Sequence, residues 1–151
     1  MKKTLLFFLL LCCISLFSQQ KDYYTTKGYL IDGYDLVSYF ENQKLLKGNK
    51  KFETVFDGIK LKFSSQKNLD TFLATPKKYL PQYGGYCAYA VAAKNIKMDA
   101  DVESFEIRDG KLYLFYNSWL SNKLEDWQKE NTEELIEKAN KNWEKLKYLN
   151  E

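Results

Sequence analysis

Cys87 lies in the stretch Gln82-Tyr83-Gly84-Gly85-Tyr86-Cys87-Ala88-Tyr89, and no other side chain in the sequence has a wider chemical reach. A thiolate binds soft cations such as Cu(I), reacts with oxidants and acts as a nucleophile. Gly84-Gly85 marks a sharp turn, and the alanines after Cys87 suit a short, tightly packed helix. Cys87 would then occupy the first turn of that helix, where the positive end of the helix dipole favours a thiolate. Tyr83, Tyr86 and Tyr89 would surround it, so that with Gly84 and Gly85 they form a candidate ligand site. The opposing reading is a packed core thiol, since free cysteine is among the most buried residue types. One thiolate is also not a complete metal site. Nearby oxygen ligands, Met98 or a second chain would have to finish it.

Other constellations are weaker. Asp99, Asp101 and Glu103 alternate in a polar stretch and could bind a hard cation through oxygens. They lack the glycine and the distal glutamate of an EF-hand loop, and a solvated acidic loop explains them as well. Asp32 and Asp35 flank Gly33-Tyr34 and could form a carboxylate pair for acid–base work; helix capping by Asp35 explains that residue more simply. Trp119, Trp127 and Trp143 could line a groove. The sequence has no histidine among its 151 residues. That excludes a Ser-His-Asp triad, a Cys-His dyad, His-ligated zinc and an axial-His haem within the chain.

The elements that would position these groups follow a leader. Residues 1–18 read as a secretory signal peptide: Lys2 and Lys3, then an apolar run from Leu5 to Phe17, then Ser18 at the cleavage point. The run is shorter than the roughly 20 apolar residues of a membrane span. Lipidation at Cys12 or Cys13 would want a small residue before the cysteine, which Leu11 and Cys12 are not. Removing Lys2 and Lys3 takes the formal charge from +3 to +1, which offers nucleic acid no basic surface. It also leaves Cys87 as the one cysteine, unable to form an internal disulfide. Residues 19–30 read as a polar leader that is loose up to Lys27, and residues 31–149 as a single domain.

Within that domain Asp35 should cap a short helix carrying Leu36, Tyr39 and Phe40. Asp57-Gly58 and Asp109-Gly110 should turn two β-hairpins, the first flanked by alternating apolar residues and the second, from Phe105 to Tyr116, with the stronger strands. Ser65 should cap a helix presenting Leu69, Phe72 and Leu73, and Pro76 should begin a further turn. Ser118 is predicted to open a helix through Trp127. Asn131 and Glu134 form a capping-box pattern for a final amphipathic helix. The expected fold class is α+β: a small antiparallel sheet made of both hairpins, covered by helices, with long C-terminal helices packed across it.

Taken together, Gly33-Tyr34-Asp35-Leu36-Val37-Ser38-Tyr39-Phe40, the hairpin from Phe52 to Ser65, Asn68 to Tyr79, Gln82 to Ala88 and Asp109 to Asn117 resemble the exported branch of the YHS-domain family. The resemblance runs from about Gly33 to Trp143. It implies a degenerate scaffold related to the treble clef. The wider family is associated with heavy-metal sensing and trafficking and is found in metal-transport ATPases. Its metal form carries a histidine and two cysteines, and alignment of the hairpins puts Thr54, Ser64 and Asn68 in their places. These are poor ligands for soft or borderline cations.

The leading expectation is an exported, non-enzymatic YHS-like binding protein of the periplasm or the medium. It would handle a transition metal such as copper, with Cys87 as the metal ligand. One alternative is a small-ligand or protein-interaction module with a Tyr-rich pocket. Its signature would be a partly open aromatic cleft near Tyr83–Tyr89, with Cys87 buried. A second alternative is a thiol redox sensor or enzyme using Cys87.

Overall fold

The computed structural model describes residues 21–41 and 44–148. The signal-peptide reading, with its cysteines, falls outside them. Among the described residues no helix is long and apolar enough to cross a membrane.

The domain is α+β, with small sheets and six helices among the described residues. Strands β1 (Thr25–Thr26) and β2 (Tyr29–Leu30) form a hairpin closed by Lys27-Gly28, both at positive φ. Helix α1 (Leu36–Glu41) follows a left-handed turn at Ile31-Asp32-Gly33. Strands β3 (Asn49–Phe56) and β4 (Ile59–Phe63) then pair around Asp57-Gly58. Helices α2 (Gln66–Ala74), α3 (Pro76–Tyr79) and α4 (Ala88–Lys94) come next. The second large hairpin is β5 (Asp101–Arg108) with β6 (Lys111–Phe115), around Asp109-Gly110. A miniature hairpin, β7 (Asn117–Ser118) with β8 (Ser121–Asn122), leads into α5 (Lys123–Lys129) and α6 (Thr132–Leu146).

Several expected local signals act as expected. Both Asp-Gly pairs sit at positive φ, the geometry that closes a two-residue hairpin. Ser65 Oγ accepts from Asn68 N at the start of α2, and Asn131 Oδ1 accepts from Glu134 N at the start of α6.

Three expectations need correction. The two large hairpins do not share one sheet. β3 and β4 belong to a four-stranded sheet ordered β1-β2-β4-β3, in which β2 runs parallel to β4, whereas β5 and β6 form a sheet of their own. The polar leader up to Lys27 is not loose from residue 21 on, because it supplies the edge strand and backbone contacts described below. Finally, Ser118 does not open a helix: Ser118 and Ser121 pair across a turn made by Trp119-Leu120, and the helix begins one residue after Asn122, whose Oδ1 caps it. Of the C-terminal helices only α6 is long, at 15 residues.

Two buried clusters share β6. Leu112 and Leu114 face a core built from Leu30, Val37, Tyr39, Leu61, Phe63 and Phe72. Tyr113 and Phe115 face the other way, onto Val91, Trp127, Leu135 and Ala139. The alternation of a strand thus serves both cores at once.

Candidate functional site

The turn at Gln82–Gly85 is set out from the fold by simple geometry. Pro81 pairs with Leu112 and Cys87 pairs with Leu114, both in the parallel sense. Two points close together on β6 are therefore joined by a much longer path of chain, and the excess, Gln82–Gly85, is extruded as a tight turn. Tyr83, Gly84 and Gly85 take φ of 52°, 62° and 89°. Glycine adopts these values freely; Tyr83 does so at a steric cost. Gly84 has a second reason to lack a side chain. A Cβ there would lie 2.6 Å from the Asp22 carbonyl oxygen and 3.2 Å from the Trp143 ring.

That carbonyl belongs to an N-terminal strap. Asp22 N donates to Lys147 O (2.8 Å) and Tyr24 N to Gly84 O (2.9 Å). Lys21 pairs with Tyr148 near the end of the described chain. Asp22 Oδ2 accepts from Lys97 Nζ at 2.6 Å and from the Tyr86 hydroxyl at 3.0 Å. Tyr23 donates its hydroxyl to Asp57 Oδ2 at 2.8 Å. Burial raises the Tyr23 phenol well above its ordinary range, with the Asp57 carboxylate adding to the effect.

Strap, turn and helix enclose an open cleft of about 790 Å³. Its aromatic surface comes from Tyr23, Phe56, Tyr83 and Trp143. Its polar rim carries Lys21, Lys77 and Lys147 with Asp22, Asp57 and Glu144, plus the amides of Gln82 and Asn140. Tyr83 is held by a 3.1 Å bond from its hydroxyl to Asn140 Oδ1, and its ring meets Trp143 near edge-on at 6.1 Å. The volume lies in the ordinary range for small-molecule sites, roughly 300–1,000 Å³.

Of the six residues singled out around Cys87, the structure places Tyr83 and Gly84 on this cleft. Gly85 packs behind the turn, where a Cβ would approach Ile31 at 3.1 Å. Tyr86 braces the strap, its ring near Tyr24 and Trp143. Tyr89 is not part of the lining. Its hydroxyl donates to Glu130 (2.6 Å), which together with partial burial pushes the phenol up to about 12.

Cys87 is fully buried, at 0% exposure. Its N–H donates to Met98 O, and it precedes α4 as the capping residue rather than sitting inside the first turn. Burial raises the thiol above its ordinary value, and backbone groups of Tyr116, Ala90 and Tyr89 offset this only in part. The expected thiolate-favouring environment is thus reversed, because loss of water outweighs the helix end. Among the described residues no three His, Cys, Asp or Glu side chains converge as a metal cluster.

The remaining candidates have local partners. Asp101 Oδ1 accepts from Glu103 N, and Glu103 accepts from the Tyr34 hydroxyl. Asp32 accepts from Lys47 Nζ at 2.5 Å, which lowers its carboxyl below the ordinary value. Asp35 is a buried hub. Its Oδ1 accepts from Val37 N (2.9 Å), and its Oδ2 accepts from Ser64 N (2.8 Å), Ser64 Oγ (2.6 Å) and Asn68 Nδ2 (2.7 Å). Two of the positions that the resemblance sets in place of ligands, Ser64 and Asn68, are thus joined to one carboxylate. The third, Thr54, pairs with Leu61 in the sheet. Asp32 and Asp35 do not act as a pair.

The three tryptophans do not share a groove. Trp119 is 91% exposed at the tip of the β7–β8 hairpin, Trp127 is fully buried and Trp143 lines the cleft. Sequence reasoning missed Asp22 and Tyr23, because a polar leader conceals the tyrosines that anchor it. It also missed Asn140, on a face of α6 that reads as solvated, and Lys147, which caps the end of that helix. No protein-family model, no curated protein and no solved structure matches the chain.

Proposed function

We propose that the chain is an exported, YHS-like, non-enzymatic binding domain of the periplasm or the medium. Its working surface is the cleft between the N-terminal strap, the Gln82–Gly85 turn and α6, which takes a small ring-bearing organic ligand. The observation that carries this reading is the aromatic cleft of about 790 Å³ built around Tyr83 and Trp143, with Cys87 buried away from it. The strain at Tyr83 supports it, since non-glycine residues held at positive φ cluster at ligand sites. Transition-metal handling through Cys87, and redox or enzymatic use of that thiol, each need a sulfur that meets solvent. Its full burial favours the cleft.

The test is a two-dimensional amide NMR titration of the mature protein against a set of small neutral and charged aromatic compounds. Binders should shift the Gly84 amide and the Trp143 indole signals together. Trp143→Ala should abolish the Gly84 shift while leaving the dispersion of the remaining spectrum intact. A set that moves neither signal removes the cleft from consideration. A parallel titration with Cu(I) that shifts signals around Cys87 would restore the metal reading.

A further inference from the structure

The cleft's hydrogen-bonding groups are unevenly occupied. Each of its carboxylates already has a cation or a hydroxyl as partner within the protein. Asp57 Oδ2 holds the Tyr23 hydroxyl, with Lys21 at 3.8 Å. Glu144 is paired with Lys147 at 2.5 Å. Asp22 is neutralised from behind by Lys97, which is not part of the lining. Asn140 Oδ1 accepts from Tyr83, Gly84 O from Tyr24 N, and Lys147 O from Asp22 N.

Donors are what remain open. Among the described residues Lys77 Nζ has no carboxylate within ion-pair distance, and neither the Gln82 side chain nor Asn140 Nδ2 donates to another protein group. With Lys97 counted against Asp22, the lining carries one surplus positive charge, and it resides on Lys77. A surface whose carboxylates are each matched by a cation or a hydroxyl, and whose Lys77 ammonium is not matched, fits a ligand that brings one negative charge.

We propose that the cleft selects a small aromatic monoanion, an aryl or heteroaryl carboxylate, with its ring against Tyr83 and Trp143 and its carboxylate at Lys77. This rests on the cleft being the binding site. The single surplus charge sets the monoanion, and the aromatic surface sets the ring. Lys77 is exposed, so its ion pair adds a modest preference rather than the bulk of the affinity. The ring supplies the rest by apolar burial.

The experiment compares three probes of one shape in the same NMR titration: indole-3-acetate, indole-3-acetamide and tryptamine. The acetate should bind about fivefold more tightly than the acetamide, a ratio set by one solvent-screened ion pair, and tryptamine should bind most weakly. Lys77→Gln should erase the difference between acetate and acetamide by weakening the acetate. Raising the salt concentration should narrow the gap in the native protein and leave the variant unaffected. Equal affinities for the three probes would overturn the anion preference and leave the cleft reading standing. A preference for the acetate that survives Lys77→Gln would overturn the assignment to Lys77. No shift at Gly84 or Trp143 from any probe would overturn both readings.

Discussion

Asp35 and Cys87 are both fully buried, and each carries a prediction of its own. The Asp35 carboxylate organises the start of α1, the end of β4 and the start of α2 by accepting from Val37, Ser64 and Asn68. Asp35→Ala would leave those buried donors without a partner, so we expect a loss of about 3 kcal/mol, read from the urea midpoint. Asp35→Asn should also destabilise, because its amide would direct hydrogens at donors. A change under about 0.5 kcal/mol, the usual range for a surface substitution, would show that the hub is incidental. Cys87 tests burial in a different way. Its thiol value is raised by loss of water, so the folded state prefers the neutral form. The thiol's contribution to stability is therefore whole below the ordinary value of 9.0 and is lost as pH rises through the higher folded value. Stability measured between pH 8 and pH 11, roughly spanning the ordinary thiol value, should fall less steeply in Cys87→Ala than in the native protein. The buried Tyr39 and Tyr83 and the half-buried Tyr86, also raised mainly by loss of water, should supply the part of the fall common to both. Identical slopes would contradict the buried-thiol account.

At the scale of elements, the strap and the extruded turn explain each other. Gly84 admits no side chain because the Asp22 carbonyl and the Trp143 ring occupy the space, and φ there is 62°. Gly110 has a similar φ of 69° with nothing near it. The pair separates crowding from backbone strain. Gly110→Ala should lose only the left-handed penalty, about 1–2 kcal/mol. Gly84→Ala should lose that and also displace the strap, giving a loss of about 3 kcal/mol or more together with fast amide exchange at Tyr24, whose N–H bonds Gly84. Equal losses from the two substitutions, measured by urea unfolding, would mean that the strap yields freely. The same elements show where sequence reasoning stops. Asp57-Gly58, Asp109-Gly110, Ser65 and Asn131 act through neighbours in sequence, and their turns and caps were legible for that reason. The docking of Asp22 on Lys147 and of Tyr24 on Gly84 joins residues far apart in the chain, for which local pattern carries no signal. The miniature hairpin at Trp119-Leu120 misled for a related reason: its apolar spacing suits a helix, yet the structure leaves both residues exposed at a turn.

For the molecule as a whole, the question is whether two buried clusters make one folding unit. The expected union of both hairpins in one sheet would have answered it through hydrogen bonding, but the hairpins lie in separate sheets. The connection instead runs through β6. The strand is buried on both faces, with Leu112 and Leu114 turned to one cluster and Tyr113 and Phe115 to the other. Pro81 and Cys87 pair with it from the side and carry the cleft turn between them. The run Leu112–Phe115 is apolar throughout, as in a strand covered on both sides, while the partners covering it lie far away in the sequence. If β6 is the common wall, neither cluster can open without exposing the other. Urea unfolding followed by the methyl signals of Val37 and Leu61, in the first cluster, and by the Trp127 indole, in the second, should then give one midpoint. Leu114→Ala removes side-chain volume from the first cluster only and should cost about 3 kcal/mol. Because the wall is shared, it should move the Trp127 midpoint by the same amount as the methyl midpoints. The Leu112 to Phe115 amides should also exchange at the global rate. A Trp127 transition that stays in place while the methyl transition shifts would show that the clusters fold apart, with the cleft, lined by Tyr23 and Phe56 from the first and Tyr83 and Trp143 from the second, lying between them.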